Sequence, residues 1–366
     1  MNKVGIGVIG CGVISGAYLK AARKFPILDI RGLADIAPAA AEARAAEFGL
    51  KATGIDDLLA DPAVEIILNL TIPKAHVEVG LKALAAGKHV YAEKPLAITF
   101  RDGRKLMDRA DKKGLRVGSA PDTFLGGSHQ TCRSLIDAGK IGTPIGGTAF
   151  FMCPGHERWH PAPDFYYQAG GGPILDMGPY YITDLVNLLG PVTRVAAMTS
   201  MPQATRTITS KPRAGDTIPV EVTTHAAGTL EFASGALVQM SMSFDVRAHR
   251  HLPIEIYGTE GSLAVPDPNW FGGQIEFAAV RDAWKPVKTA LPYADDNYRS
   301  IGLADMAHAI RTGRPHRASG ALALHVLEVM EAFDRSSQSG KAVSITTRPE
   351  RPAPISESLV RRKLAA

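Results

Sequence analysis

Short apolar runs alternate with helical stretches over the first 120 residues. Residues 3–9, Lys-Val-Gly-Ile-Gly-Val-Ile, have the continuous apolar character of a buried strand. Gly10-Cys11-Gly12-Val13-Ile14-Ser15 follows, then a helical stretch from about Ser15 to Arg23. Leu28–Ala34 is a second strand ending in Asp35. Pro38–Phe48 is rich in Ala, Glu and Arg, carries Pro in its first turn and meets Gly49 as a stop, so it reads as a helix. The spacing then predicts a strand over Ile66–Leu70, a helix over Lys74–Ala86 and a strand over Lys88–Ala92. A helix over Arg101–Lys113, stopped by Gly114, and a strand over Leu115–Ser119 complete the series. Strand and helix in strict alternation predict an α/β class with a doubly wound parallel sheet.

The rhythm changes after Ala120. Ser128–Ala138 has helical spacing, Thr148–Cys153 alternates weakly, and a loop rich in Gly, Pro, His and aromatics runs from Pro154 to Tyr167. A helix is expected from about Ile174 to Leu189. Strands are expected over Val192–Ser200, Glu221–Phe232, Leu237–Phe244, Pro253–Tyr257, Ser262–Val265 and Gln274–Ala279. Consecutive strands point to an α+β domain with a large, mostly antiparallel sheet. Asp295–Arg311 and Ser319–Ser336 return to helix. The expected organisation is a dinucleotide-binding domain over 1–122, an α+β domain over 123–345 and a C-terminal tail over 346–366, mobile beyond Arg348.

Bulk composition narrows the partners. An apolar fraction of 45% and a charged fraction of 21% are those of a soluble globular chain, and 366 residues suffice for two domains. The net charge of +5 is dispersed without a run of five basic residues, which gives no case for nucleic acid. Cys11, Cys132 and Cys153 are too few and too scattered for a disulfide framework or a zinc site. No long uncharged apolar stretch suggests a membrane span, and the expected location is cytoplasmic.

The candidate chemistry starts at the glycine turn. A strand, a tight glycine turn and a helix N-terminus together form an anion site, in which main-chain N–H groups and the helix dipole face a pyrophosphate. Ser15 stands where a third glycine is usual and is small enough for close helix–strand packing. Asp35 lies 25 positions beyond Gly10, near the ~20 expected of an acid that binds the adenosine ribose. Ile36 follows it rather than a cation, so NAD is expected over NADP. The alternatives are a glycine turn without a nucleotide and an Asp that is merely solvated.

Glu93-Lys94-Pro95 would place a lysine at the carboxyl end of a strand in the same sheet. Pro95 biases Lys94 towards an extended backbone and so gives its side chain a defined direction. For a lysine to act as base near neutral pH, its pKa must fall from about 10.4 by ~3, which needs roughly 4 kcal/mol of preference for the neutral form. Burial and a positive nicotinamide ring both push that way. Further along, Gly170-Gly171-Gly172 precedes Asp176 and Tyr180, which are four apart and share a face if helical. They suit the orientation of a hydroxyl and the relay of its proton, or equally a helix start with an acid at its positive end. Arg158, Trp159 and His160 are candidate sugar contacts, against an Ω-loop held by its own aromatics. Asp122 and Thr123, just after the 115–119 strand, are candidate substrate or nicotinamide contacts. His156 and His160 lack partners at ligand spacing, so no metal is expected.

Taken in order, Gly10-x-Gly12, Asp35, Thr71-Ile72-Pro73 with His76, Glu93-Lys94-Pro95 and Gly-Gly-Gly-x-x-x-Asp176-x-Gly178 resemble the glucose–fructose oxidoreductase / inositol dehydrogenase (Gfo/Idh/MocA) family. Tyr257-Gly-Thr-Glu-Gly261 also fits, and the resemblance covers about residues 3–345. It implies an N-terminal Rossmann domain, and a C-terminal domain whose open sheet buries against a partner subunit in a homodimer or homotetramer. The implied activity is hydride transfer between a nicotinamide cofactor and a sugar or cyclitol carbon. It further implies a cofactor site formed by Gly10, Cys11, Gly12, Val13, Ile14, Asp35, Thr71, Pro73, His76, Glu93 and Lys94. By the same resemblance Lys94 contacts the substrate and the nicotinamide ribose, and Asp176 is the acid of the second domain. Tyr180 departs from the pattern, because most dehydrogenases of the family carry histidine there. Members with tyrosine include both oxidoreductases and redox-neutral glycosidases that hold NAD, so an NAD-dependent glycosidase stands beside the sugar dehydrogenase or reductase. A non-catalytic dinucleotide sensor is a third reading, disfavoured by Lys94 and Asp176 together.

Overall fold

The structure is a computed structural model and describes residues 2–355. The chain divides into two compact units. Their sequences interleave: residues 2–130, 291–324 and 352–355 form the first, and 131–290 with 325–351 form the second. A single cut at residue 122 does not describe this division, because the segment 291–324 returns to the first unit.

In the first unit the strands are β1 (Val4–Ile9), β2 (Leu28–Ala34), β3 (Ile66–Asn69), β4 (His89–Ala92) and β5 (Val117–Ser119). They form one five-stranded sheet in the order β2-β1-β3-β4-β5, and every pairing is parallel. The intervening helices are α1 (Val13–Ala22), α2 (Pro38–Phe48), α3 (Ile55–Ala60), α4 (His76–Ala85) and α5 (Phe100–Lys113). All six residues of β1 and all four of β3 are buried, as expected of strands covered on both faces. The strand order reverses direction between β1 and β3, which puts a crevice at the carboxyl ends of these strands. The expected cap glycines Gly49 and Gly114 are both left-handed, with φ of 68° and 64°. The short α3 escaped the sequence reading.

The second unit is built on a nine-stranded sheet. In chain order the remaining elements begin with α6 (Gly127–Asp137), β6 (Pro144–Met152), α7 (Pro173–Leu189), β7 (Val192–Ser200), β8 (Thr205–Thr207), β9 (Thr217–Pro219), β10 (His225–Phe232) and β11 (Leu237–Ser243). They continue with β12 (Ile254–Gly258), β13 (Gly261–Val265), β14 (Ile275–Ala279), β15 (Lys285–Val287), α8 (Ile301–Thr312), α9 (Gly320–Ser339) and β16 (Val343–Ser344). The first residues of α6 and α9, and the whole of α8, belong to the first unit. The sheet order is β15-β14-β13-β12-β6-β11-β10-β7-β16. All neighbours are antiparallel except β6 and β11, which run parallel. The helix α7 packs on β6, β10 and β11, and nearly all its residues are buried. The opposite face of the sheet exposes Ala196 and Met198 of β7, Ala227 and Thr229 of β10 and Gln239 of β11, with Met198 81% exposed.

The expected helix over 295–311 begins later, at Ile301, after Ser300 with φ of 127°. The beginning of the tail is anchored by hydrogen bonds, which reach Arg351 in the stretch expected to be mobile. Thr346 and Thr347 bind the Glu328 carboxylate through main-chain N–H and hydroxyl groups. The Arg351 guanidinium donates to the carbonyls of Asn187 and Leu188. The rest of the expected tail, 356–366, lies outside the described residues.

Candidate active site

The glycine turn is shaped by contact on one side and openness on the other. Gly10 has φ of 104°, and a Cβ there would lie 2.5 Å from the Leu70 carbonyl carbon, so only glycine fits. At Gly12 a Cβ would meet nothing within 4 Å. Gly12 is the N-cap of α1 and contributes no side-chain cap, so the helix N-terminus keeps its main-chain donors available. Val13 beyond it is 95% exposed. Ser15 is buried and its hydroxyl donates to the Gly12 carbonyl at 2.6 Å, which explains why a small side chain suffices at this third position. The geometry fits a dinucleotide pyrophosphate: open space over a glycine at an uncapped, positive helix end.

Asp35 braces this turn. One carboxylate oxygen accepts the Cys11 N–H at 2.7 Å and the other accepts the Ala37 N–H at 2.9 Å. Burial and the neighbouring Asp35 charge push the Cys11 thiol up to about 11, so it is inert near neutral pH. Arg44 of α2 reaches back to the Gly12 carbonyl at 3.1 Å. This cation beside the turn was not visible in the sequence pattern.

The lysine is held in the same frame. The Tyr18 hydroxyl, on the helix that begins at the turn, donates to Glu93 at 2.7 Å. The second oxygen of Glu93 accepts the Lys94 main-chain N–H at 2.8 Å. Tyr18 is fully buried and Glu93 nearly so, and burial followed by the Glu93 charge drives the Tyr18 phenol well above its ordinary value. It therefore stays a donor, and a single chain of hydrogen bonds fixes the Lys94 backbone relative to the cofactor turn.

Several sequence-derived candidates are tied into the protein by contacts of their own. His76 is 1% exposed, with Nδ1 2.7 Å from the Pro95 carbonyl and Nε2 2.9 Å from the Thr71 carbonyl. It braces the loop after β3 against the Lys94–Pro95 loop. Burial holds its pKa below the ordinary histidine value, against the opposing pull of these carbonyls. Thr71 donates its hydroxyl to Asn69 at 2.7 Å, and no residue of the short 3₁₀ turn begun by Pro73 is buried. Asp122 and Thr123 are each 1% exposed, and Asp122 accepts the main-chain N–H of Ser300 at 3.1 Å and of Gly302 at 3.0 Å. Asp122 is thus an acceptor for the start of α8, contributed from far away in sequence, rather than a group presented to an open crevice. Burial pushes its pKa up to about 6.

In the second unit Asp176 and Tyr180 lie one turn apart in α7, as the spacing predicts. Asp176 is in the first turn, where the positive helix end favours a carboxylate. Gly172 starts this helix with φ of 87°, and a Cβ there would lie 2.7 Å from the Thr223 carbonyl oxygen. The loop before α7 supplies a residue the sequence reading set aside: His156 Nε2 lies 3.1 Å from an Asp176 carboxylate oxygen. Trp159 is 60% exposed, and Arg158 is exposed too. His160 packs edge-on to Phe165 and Tyr166, with ring centroids 5.2 and 5.5 Å away. The loop is therefore held by its own aromatics while still exposing Arg158 and Trp159. Among the described residues, no group of three or more His, Cys, Asp or Glu is placed to hold a metal ion.

Comparison with known proteins decides the family. Residues 4–120 match the model of the oxidoreductase family with an NAD-binding Rossmann fold, and residues 129–264 match the GFO/IDH/MocA C-terminal domain. The chain belongs to the Gfo/Idh/MocA family. It is 27% identical over 304 residues to 1,5-anhydro-D-fructose reductase of Ensifer adhaerens, covering 82% of this chain and 85% of that protein. It is 25% identical over 344 residues to D-xylose dehydrogenase of Paenarthrobacter nicotinovorans, covering 87% and 86%. Among solved structures, levoglucosan dehydrogenase in complex with NADH and L-sorbose superposes with a TM-score of 0.83 at 21% identity, over 95% of this chain and all of that one. As a Gfo/Idh/MocA member the chain is an oxidoreductase of the sugar dehydrogenase and reductase type with an NAD-binding Rossmann domain. Among the described residues, no helix is long and apolar enough to cross a membrane.

Proposed function

We propose that this protein transfers a hydride between NAD and a carbon of a sugar, sugar derivative or cyclitol, and prefers NAD to NADP. The observation that carries this reading is the Tyr18–Glu93–Lys94 chain, which ties the lysine backbone to the helix leaving the glycine turn. A binding module has no need to fix a lysine in register with its cofactor turn. Bound NAD supplies a hydride acceptor at the nicotinamide ring. The residues of the chain then divide the work. The α1 N-terminus and Gly12 hold the pyrophosphate, and Asp35 takes the ribose hydroxyls and repels a 2′-phosphate. Lys94, Asp176 and Tyr180 act on the reacting hydroxyl and its proton. Phenol has a pKa of ~10 against ~6.5 for imidazole, so Tyr180 needs a nearby cation to serve as base near neutral pH.

Tyr180 also keeps a second reading in view, a redox-neutral NAD-dependent glycosidase that oxidises a ring carbon, eliminates the aglycone, adds water and returns the hydride. Incubation with D-xylose, inositol, levoglucosan, 1,5-anhydro-D-fructose and a set of aryl glycosides, with NAD or NADH, separates the two. Net change in NADH supports the dehydrogenase or reductase, and aglycone release without net NADH supports the glycosidase. Activity with neither set removes the proposal.

The uncovered face of the nine-stranded sheet supports self-association as a homodimer or homotetramer, since it exposes the apolar Ala196, Met198 and Ala227 beside Thr229 and Gln239. Light scattering that finds only monomer at micromolar concentration contradicts this assembly.

A further inference from the structure

The loop between β6 and α7 holds one imidazole with unusual firmness. His156 is 9% exposed, and its ring centroid lies 4.4 Å from that of Tyr166 and 4.6 Å from that of Phe244. Its main-chain N–H donates to the Tyr167 hydroxyl at 3.2 Å. That hydroxyl donates in turn to the Glu157 carboxylate, which Arg206 approaches to 3.4 Å. Arg206 also binds the Asp245 carboxylate and, at 2.9 Å, the Phe244 carbonyl. Gly155, just before the ring, has φ of 102°, and a Cβ there would lie 2.2 Å from the Glu157 carboxylate. A buried ionic network and a glycine-only turn thus seat the histidine.

Both ring nitrogens are engaged. The Trp159 indole nitrogen lies 3.1 Å from His156 Nδ1, and Nε2 lies 3.1 Å from Asp176. An indole N–H is only ever a donor, so Nδ1 must carry a lone pair. The ring proton then sits on Nε2 and points at the carboxylate.

We infer that His156 is a positioning residue for Asp176: locked by Trp159 as the Nε2–H tautomer, it orients the carboxylate through a donated hydrogen bond. The inference rests on the reading above in which Asp176 acts on the substrate. The imidazole that serves this carboxylate comes from the loop and not from the turn of α7 that carries Tyr180.

Nitrogen NMR of protein labelled at histidine tests the placement without any ligand. The chain has 11 histidines, and His156→Gln identifies the resonance by its loss. The expected signature is a single neutral tautomer protonated at Nε2, which becomes a mixture only when both partners are removed, in Trp159→Phe/Asp176→Ala. A ring protonated at Nδ1, or a tautomer unchanged in the double variant, overturns the inference. The second arm is turnover of whichever compound of the sugar panel the wild type handles fastest. His156→Ala should lower kcat by roughly 10–100-fold, the size of one hydrogen bond to a charged group, and change KM less. His156→Gln, whose amide still donates an N–H, should recover most of that loss. Equal loss in both variants makes His156 a proton carrier, and no loss in either removes its role, so each overturns the inference. If no panel compound is turned over, the functional reading fails, while the NMR signature still decides whether Trp159 and Asp176 fix this ring.

Discussion

The glycine-turn region and the loop before α7 make their sites in opposite ways. The first is built from main chain: an uncapped helix end, an open glycine and an acid that braces the turn through backbone N–H groups. The second is built from side chains, with His156 and Trp159 arranged on Asp176 and the loop pinned below by Glu157, Arg206 and Asp245. Main-chain sites tolerate few residue types, because only glycine avoids the clash at Gly10, and so they leave a mark in the sequence. Side-chain sites depend on residues brought together by folding and leave almost none. The glycine-turn region and the loop before α7 thus differ in how openly the sequence carries them.

The largest expected effect separates binding from chemistry across this divide. Lys94→Ala should lower kcat by about 10²–10⁴-fold, the usual contribution of a positioned acid or base, while cofactor Kd changes little. Tyr180→Phe removes one hydroxyl and keeps the ring's packing, and its loss should be the smaller of the two. A reversed order, read from steady-state kcat on the same compound, makes Tyr180 the principal base and shifts the chemistry to the side-chain half.

The next effect concerns stability and falls wholly within the first unit. Asp122 has a pKa of about 6 in the folded protein against an ordinary 3.8. The folded state therefore holds its proton more tightly than the unfolded chain does. Stability from this group is fully present below the unfolded pKa and falls as pH rises from about 4 to about 6, by at most roughly 3 kcal/mol. Asp122→Asn keeps an oxygen for the N–H groups of Ser300 and Gly302 and removes the titration. The difference between wild-type and variant unfolding free energies, from denaturant titrations across this pH range, should change in favour of the variant as pH rises. A pH-independent difference contradicts the buried-carboxylate account.

The smallest of these effects tests the main-chain half alone. Asp35→Ser should weaken NAD binding and shrink the preference for NAD over NADP by roughly 10-fold, since it removes one charge and one ribose acceptor. Calorimetric titration of both cofactors reads this directly, and tighter NADP binding by the wild type contradicts the assigned role. The loss of bracing at Cys11 and Ala37 should lower affinity for both cofactors as well.

The two regions also explain how far the sequence could be read. Strands β1 and β7 and helix α2 were legible because their apolar periodicity is local and glycine or proline bounds them. The six-residue α3 and the three-residue β8 and β9 are too short for a period to register. The parallel pairing of β6 with β11 was hidden because it joins strands distant along the chain. The same distance hid the contacts at the site: Tyr18 and Glu93 are 75 residues apart, and Asp122 and Ser300 are 178 apart. Asp122 read as a candidate substrate or nicotinamide contact because it follows a strand end, and its partner helix could not be inferred from its neighbours. His156 was judged only as a metal ligand, and its pairing with Asp176, 20 residues on, becomes visible only once the loop is folded.

The central claim is hydride transfer between the nicotinamide and a carbohydrate carbon, and isotope transfer tests it most directly. NADH carrying deuterium at the transferable position of its nicotinamide ring is incubated with the protein and the carbonyl forms of the panel sugars. The account predicts a product with one deuterium on the carbon that bore the carbonyl, formed by the wild type and lost in Lys94→Ala in step with kcat. Sugar recovered without deuterium across the whole panel, from protein shown to bind NADH, would contradict the account and leave the glycine turn as a binding site without the chemistry assigned to it.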